Sequence, residues 1–350
     1  MAADFIPGLK LSGLFYREII KPILDEHFAL LQYSAALIGA GSEVLAFDTA
    51  MSRDHDWGPR LELFLNESDY LANAKVIEET LRRHLPDQFR GYPVPWLISG
   101  PTNHHCVELL TIRDFFLQYL NFDIRSELEP ADWFTFPEQK LRTVISGAIY
   151  WDDLDLQASR ERFRYYPLGI WLYLLAAEWK RIGQEEHLMG RAGLVGDEIG
   201  SALIAARLVR DLMRLCFLME QQYAPYAKWL GTAFAQLKSA EELTPLLRQV
   251  LLAPTWSERE KYLVPAYEIV AAKHNALNIT EVLDTKVSYF HERPFQVIDG
   301  ERFANALRAE ITDPVVKRIA DRWLIGSVDQ FSDSTDLLNN AQALRCLYAG

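Results

Sequence analysis

The chain has 350 residues, 49% hydrophobic and 24% charged, which is the make-up of packed globular protein and excludes a disordered or low-complexity class. Thirty-six basic against 48 acidic residues leave a net charge of −12, so a nucleic-acid substrate held by broad phosphate neutralisation is disfavoured and a small-molecule or protein partner fits better. Cys106, Cys216 and Cys346 lie far apart without metal-ligand spacing, no basic-then-apolar leader is visible, and no run approaches the ~18 apolar residues of a membrane span; the expectation is a cytoplasmic protein with no membrane partner.

In chain order, Phe15, Ile19, Ile23 and Leu24 share one stripe and predict a helix over about 12–28. The apolar run Tyr33 to Ile38 predicts a strand that enters Gly39-Ala40-Gly41-Ser42, after which Glu43 to Phe47 can begin a helix. Asp54-His55-Asp56 stands at the mouth of a second strand, Leu61 to Leu65. Ser68 is the expected cap of a helix carrying Leu71, Ala74, Ile77 and Leu81, and the breakers from Gly91 to Pro95 end that unit. A third strand spans Cys106 to Ile112 and carries Glu108; a fourth is expected over Thr143 to Trp151. From there the period becomes helical: Leu168 to Trp179 is apolar nearly all round, and further helices are expected over 199–220, 258–277 and 300–310. The expected architecture is an α/β (α+β) domain with a small mixed sheet over residues 1–158, followed by a mostly α-helical domain over 159–350.

The chemistry-bearing pattern sits in the first third. A tight glycine turn leaves backbone N–H groups able to hold an anion and lets phosphate approach closely, and Ser42 adds a hydroxyl beside Gly41. Asp54 and Asp56 lie two apart, so an extended chain sends both carboxylates to one side, where they can share a divalent metal. A third acid is then expected on a neighbouring strand. Glu108, inside an apolar run, is the candidate; Glu62 on the intervening strand is its rival, and an ion pair of Glu108 with Arg60 or Arg113 is the structural alternative.

Glycine-serine after a first strand, Asp-x-Asp before a second and an acid on a third resemble the polymerase-beta-like nucleotidyltransferase superfamily. The stretches Phe5 to Leu9, Gly41 to Pro59, Tyr166 to Trp179 and Tyr223 to Trp229 are similar to one bacterial branch labelled a domain of unknown function, with a helical C-terminal domain. The resemblance implies magnesium- or manganese-dependent transfer of a nucleoside monophosphate from a nucleoside triphosphate, ATP among them, with release of pyrophosphate. It does not name the acceptor.

Outside that pattern, Arg207, Arg210, Asp211 and Arg214 share a helix face, either as a solvated ion-pair stripe or with Arg207 or Arg214 neutralising phosphate. Lys228, between Tyr226 and Trp229, is a candidate for the triphosphate, against the plainer reading that it snorkels to water. His104 and His105 alternate in direction and do not suit joint ligation of one metal. Gly326-Ser327 with Asp329, Asp333 and Asp336 repeats the glycine-serine theme, but its spacing leaves no room for a helix and it reads as turn and helix-start residues. The functional expectation is thus a nucleotidyltransferase with Asp54 and Asp56 as metal ligands, Glu108 as the third acid that helps hold metal or takes the acceptor's proton, and Gly41, Ser42, Lys228 and Arg214 toward the nucleotide. The acceptor is an unidentified small molecule or protein. The alternative is a nucleotide-binding regulatory protein of the same fold that makes no product.

Overall fold

Residues 5–52, 57–94, 106–334 and 337–338 are described by a computed structural model. They divide between two units, residues 1–127 with 140–164 and residues 128–139 with 165–350.

The first unit begins with α1 (Gly8–Phe15), a single π-helical turn (Tyr16–Ile20) and α2 (Lys21–His27). Leu11, Phe15, Tyr16, Ile20 and Leu24 are buried along it, the stripe expected of a helix that packs on one side. Two strands follow, β1 (Tyr33–Leu37) and β2 (Leu61–Leu65), every residue of both being buried.

Next comes α3 (Glu67–His84), whose cap is Asn66, not Ser68: the Asn66 side chain accepts the Asp69 N–H at 2.8 Å. Of the expected stripe, Ile77 and Leu81 are buried while Leu71 stands 86% exposed. A short hairpin, β3 (Gln88–Phe89) and β4 (Tyr92–Pro93), precedes β5 (Val107–Thr111) and α4 (Ile112–Leu120).

The strand expected over 143–151 is shorter and later. After α5 (Pro130–Thr135), the chain forms α6 (Glu138–Ile145), and only then β6 (Ala148–Asp152) and α7 (Leu156–Glu161). Thr143, Val144 and Ile145 have strand propensity, but Leu141 and Val144 are three apart and fully buried together, so packing of a helix face overrides it. Gly147 makes the change of direction: its φ is +77°, and a Cβ there would lie 2.1 Å from the Leu37 carbonyl oxygen.

The sheet order is β5-β2-β1-β6, with β2–β5 parallel and the other pairs antiparallel. It is the small mixed sheet that the sequence led us to expect.

The second unit is helical. It contains α8 (Leu168–Leu194), α9 (Glu198–Met219), α10 (Ala227–Phe234), α11 (Ala240–Leu252) and α12 (Trp256–Ala276). A hairpin of β7 (Ser288–Tyr289) and β8 (Gln296–Val297) leads to α13 (Gly300–Ala309), α14 (Pro314–Arg322) and α15 (Val328–Phe331). Its core is built around α8, where Trp179 and Tyr173 are fully buried and Trp179 stacks on Phe303 of α13 at 4.3 Å. Among the described residues no helix is long and apolar enough to cross a membrane.

Candidate functional site

Strand directions decide what meets in the first unit. Because β1 runs against β2 and β2 runs with β5, the C-terminal end of β1 and the N-terminal ends of β2 and β5 lie at one edge of the sheet. The register pairs Ala36 with Glu62 and Glu62 with Glu108, and the Leu61 N–H donates to the Cys106 carbonyl at 2.9 Å. The glycine turn, the chain entering β2 and Glu108 therefore share one end of the sheet.

The turn is anchored at both ends. The Ile38 N–H donates to Glu62 Oε2 at 3.0 Å and the Gly39 N–H to the Thr143 carbonyl at 3.2 Å. Beyond it, the Ala46 N–H reaches the Glu43 carbonyl and the Phe47 N–H the Ser42 carbonyl, at 2.9 and 3.0 Å. The helix expected from Glu43 to Phe47 is absent: these residues form successive turns, and Ala46 sits in the left-handed region at φ +56°. Between the anchors, the N–H groups of Ala40, Gly41, Ser42 and Glu43 meet no protein acceptor among the described residues. Gly41 adopts φ +130°, and a Cβ on it would lie 2.6 Å from both Arg60 Nη2 and Glu43 Oε2. Only glycine fits above that ion pair.

The pair itself is a sequence-distant construction. Arg60 donates through Nε and Nη2 to Glu43 Oε1 at 3.0 and 2.8 Å, through Nη2 to the Ala40 carbonyl at 2.5 Å, and its Nη1 stands 3.9 Å from Glu62 Oε1. One guanidinium thus braces both the floor of the turn and the buried carboxylates beside it. Burial pushes the Glu62 carboxyl up, Arg60 and the Ile38 N–H pull it down, and the neighbouring Glu108 adds to the rise, leaving it at about 7. Glu108, expected to be buried, is exposed on β5, an edge strand whose Val107, Leu110 and Thr111 are buried. Arg60 is taken by Glu43 and Glu62, and Arg113 pairs with Asp123 at 2.9 Å, so neither forms the ion pair considered for Glu108. Of the two acids, Glu108 presents the accessible carboxylate.

Asp54, His55 and Asp56 lie outside the described residues, as do His104, His105 and Asp336. What the structure gives is the closure of the segment that holds the first three: Asp48 Oδ2 accepts the Trp57 indole N–H at 2.9 Å and the Gly8 N–H at 2.7 Å. Among the described residues no group of three or more His, Cys, Asp or Glu is arranged to hold a metal ion.

The second-unit candidates fare differently from one another. Arg214 is buried and committed, with Nη2 3.1 Å from Glu138 Oε1 and 4.0 Å from Asp329 Oδ1. Burial alone would lower its affinity for the proton, but Glu138, Asp329 and Glu178 outweigh that and hold it charged. Arg207 is an exposed partner of Glu185 on α8, the solvated-stripe reading. Lys228 is exposed, with its amine 4.9 Å from the Trp229 ring centroid. The second glycine-serine is structural: Ser327 starts α15 and its N–H donates to Gln330 Oε1 at 3.0 Å, Asp329 accepts the Glu138 N–H at 2.8 Å, and Asp333 pairs with Arg210.

Sequence reasoning missed the Glu43–Arg60–Glu62 brace. Its only signal was three charges among apolar neighbours, too little without the strand register. Compared with known proteins, residues 133–230 match the family model described as Domain of unknown function (DUF4037). That match covers α6, β6, α7, α8 and α9 and not the glycine turn. Neither the curated proteins nor the solved structures contain a match to the chain.

Proposed function

We propose that the chain is a metal-dependent nucleotidyltransferase that moves a nucleoside monophosphate from a nucleoside triphosphate to a hydroxyl acceptor and releases pyrophosphate. The observation that carries this reading is the meeting, at one end of the sheet, of a turn whose four consecutive N–H groups meet no acceptor among the described residues and the accessible carboxylate of Glu108. Such N–H groups suit phosphate oxygens, and Gly41 and Ser42 are assigned that role. Asp54, Asp56 and Glu108 are assigned to Mg²⁺ or Mn²⁺, which would supply charge neutralisation at the phosphates. Glu62 is set aside as the third acid because its oxygens are already engaged by Ile38 and Arg60.

In the reaction the acceptor oxygen bonds to the α-phosphorus, the bond to the bridging oxygen breaks, and pyrophosphate leaves with that electron pair. Glu108 takes the hydroxyl proton. Arg214 is reassigned to the fold, where its guanidinium neutralises the buried Glu138 carboxylate.

The test is incubation with α-labelled nucleoside triphosphate and a cell extract, with and without magnesium. Magnesium-dependent label on a metabolite or protein, with pyrophosphate formed, is expected; Asp54→Asn should abolish it while leaving the melting temperature nearly unchanged. Binding without pyrophosphate under every acceptor mixture would favour the non-catalytic regulatory reading.

A further inference from the structure

A groove of about 480 Å³ runs along α8 in the second unit. Its floor is one helix face, since Ala177, Lys180, Arg181 and Gln184 follow the i, i+3, i+4, i+7 spacing. Its wall is Arg322, the last residue of α14, and the extended segment that follows it, which carries Trp323.

Both sides are fixed. The Tyr173 hydroxyl, from a fully buried side chain, donates to the Trp323 carbonyl at 2.8 Å and accepts the N–H groups of Ile325 and Gly326 at 3.4 and 3.3 Å. Arg181 is aimed by a buried acid: its Nε donates to Asp211 Oδ2 at 2.9 Å and its Nη1 to the Gln330 carbonyl at 2.7 Å. Lys180 and Arg322 make no ion pair among the described residues. Even counting Asp211 against Arg181, the groove carries excess positive charge on a chain of net charge −12. The Trp323 indole is 60% exposed at its rim, an apolar plane next to two cations.

We propose that this groove binds a small anion bearing a flat ring, a nucleoside monophosphate being the simplest form of that chemistry. Lys180 and Arg322 take the anionic group, Gln184 is placed for polar atoms, and Trp323 takes the ring by stacking. This does not depend on the nucleotidyltransferase reading.

The experiment is equilibrium titration of the full chain with adenosine monophosphate and, separately, inorganic phosphate. Both are run at low salt in EDTA so that metal-dependent binding elsewhere is silent. Saturable binding of the monophosphate is expected. The double variant Lys180→Ala/Arg322→Ala should weaken it at least about tenfold through loss of two charge-assisted contacts. Trp323→Ala should weaken the monophosphate several-fold and leave phosphate unaffected. All three side chains lie on the groove surface, and circular dichroism checks that the variants fold. No binding up to about 5 mM monophosphate, or binding indifferent to these substitutions, would overturn the proposal.

Discussion

Glu178 on α8 and Asp211 on α9 are fully buried, and each has one carboxylate oxygen without a hydrogen-bond partner among the described residues, Oε1 and Oδ1 respectively. Burial first, then the nearby Asp211, lifts the Glu178 carboxyl to about 8 against the pull of Arg214, Gln330 and Arg181. Folding therefore favours the protonated acid. Its contribution to stability is complete below the ordinary glutamate range and is lost progressively as pH rises from there through 8, because across that window the native state holds a proton that the unfolded chain has already released. Glu186, lifted by burial to about 7, adds a slope of the same sign. Denaturant unfolding should show stability falling from pH 5 to pH 8, and Glu178→Gln, which keeps the neutral shape, should flatten the portion above pH 7. Arg60 makes a second residue-scale case. Truncating it to Ala strands Glu43, which is 2% exposed, and should cost roughly 2–3 kcal/mol in a urea titration, below the ~3–5 of a fully enclosed pair because the Arg60 side chain keeps a fifth of its surface in water. Neither residue was legible as important from sequence, since a lone charge in an apolar run looks alike whether it is paired, protonated or exposed.

At the scale of elements, α8 shows how far a hydrophobic pattern can be read. Leu168 to Trp179 announces a buried helix because every side is apolar; the remaining turns to Leu194 are silent because several buried positions there are Glu186, Gly190 and Gly193. Glu186 replaces an apolar contact with a polar one. Its Oε2 accepts the N–H groups of Ile298 and Asp299 at 2.6 and 3.2 Å, and its Oε1 that of Gly300 at 3.1 Å, so a side chain on α8 satisfies the start of α13. Glu186→Ala leaves those donors buried without acceptors and should cost roughly 2–4 kcal/mol by denaturant unfolding, while Glu186→Gln keeps part of the set. The strand misassigned over 143–151 is the opposite failure: local β-propensity was real, but the partners that made Leu141 and Val144 a buried helix face are remote in sequence.

For the whole molecule, the small mixed sheet and the helical second unit were legible because period-2 and period-3.6 patterns occupy separate stretches of chain. The glycine turn and its position after β1 were equally readable, being contiguous. What could not be read was the parallel pairing of β2 with β5, which sets Glu62 beside Glu108 and shows which of them is accessible, because strand order is not written in any one segment. The net charge of −12 also hid a cationic groove, since total charge and local field are separate quantities. The central claim, that this sheet end holds a metal-bound triphosphate, is tested most directly by titrating a non-hydrolysable nucleoside triphosphate in magnesium and in EDTA. Fluorescence or calorimetry would follow it in the wild type, Glu108→Gln and Asp54→Asn. The account predicts at least about tenfold tighter binding with magnesium, reduced in each variant to the EDTA level. Equal affinity with and without the metal, or a magnesium effect that survives both substitutions, would contradict it.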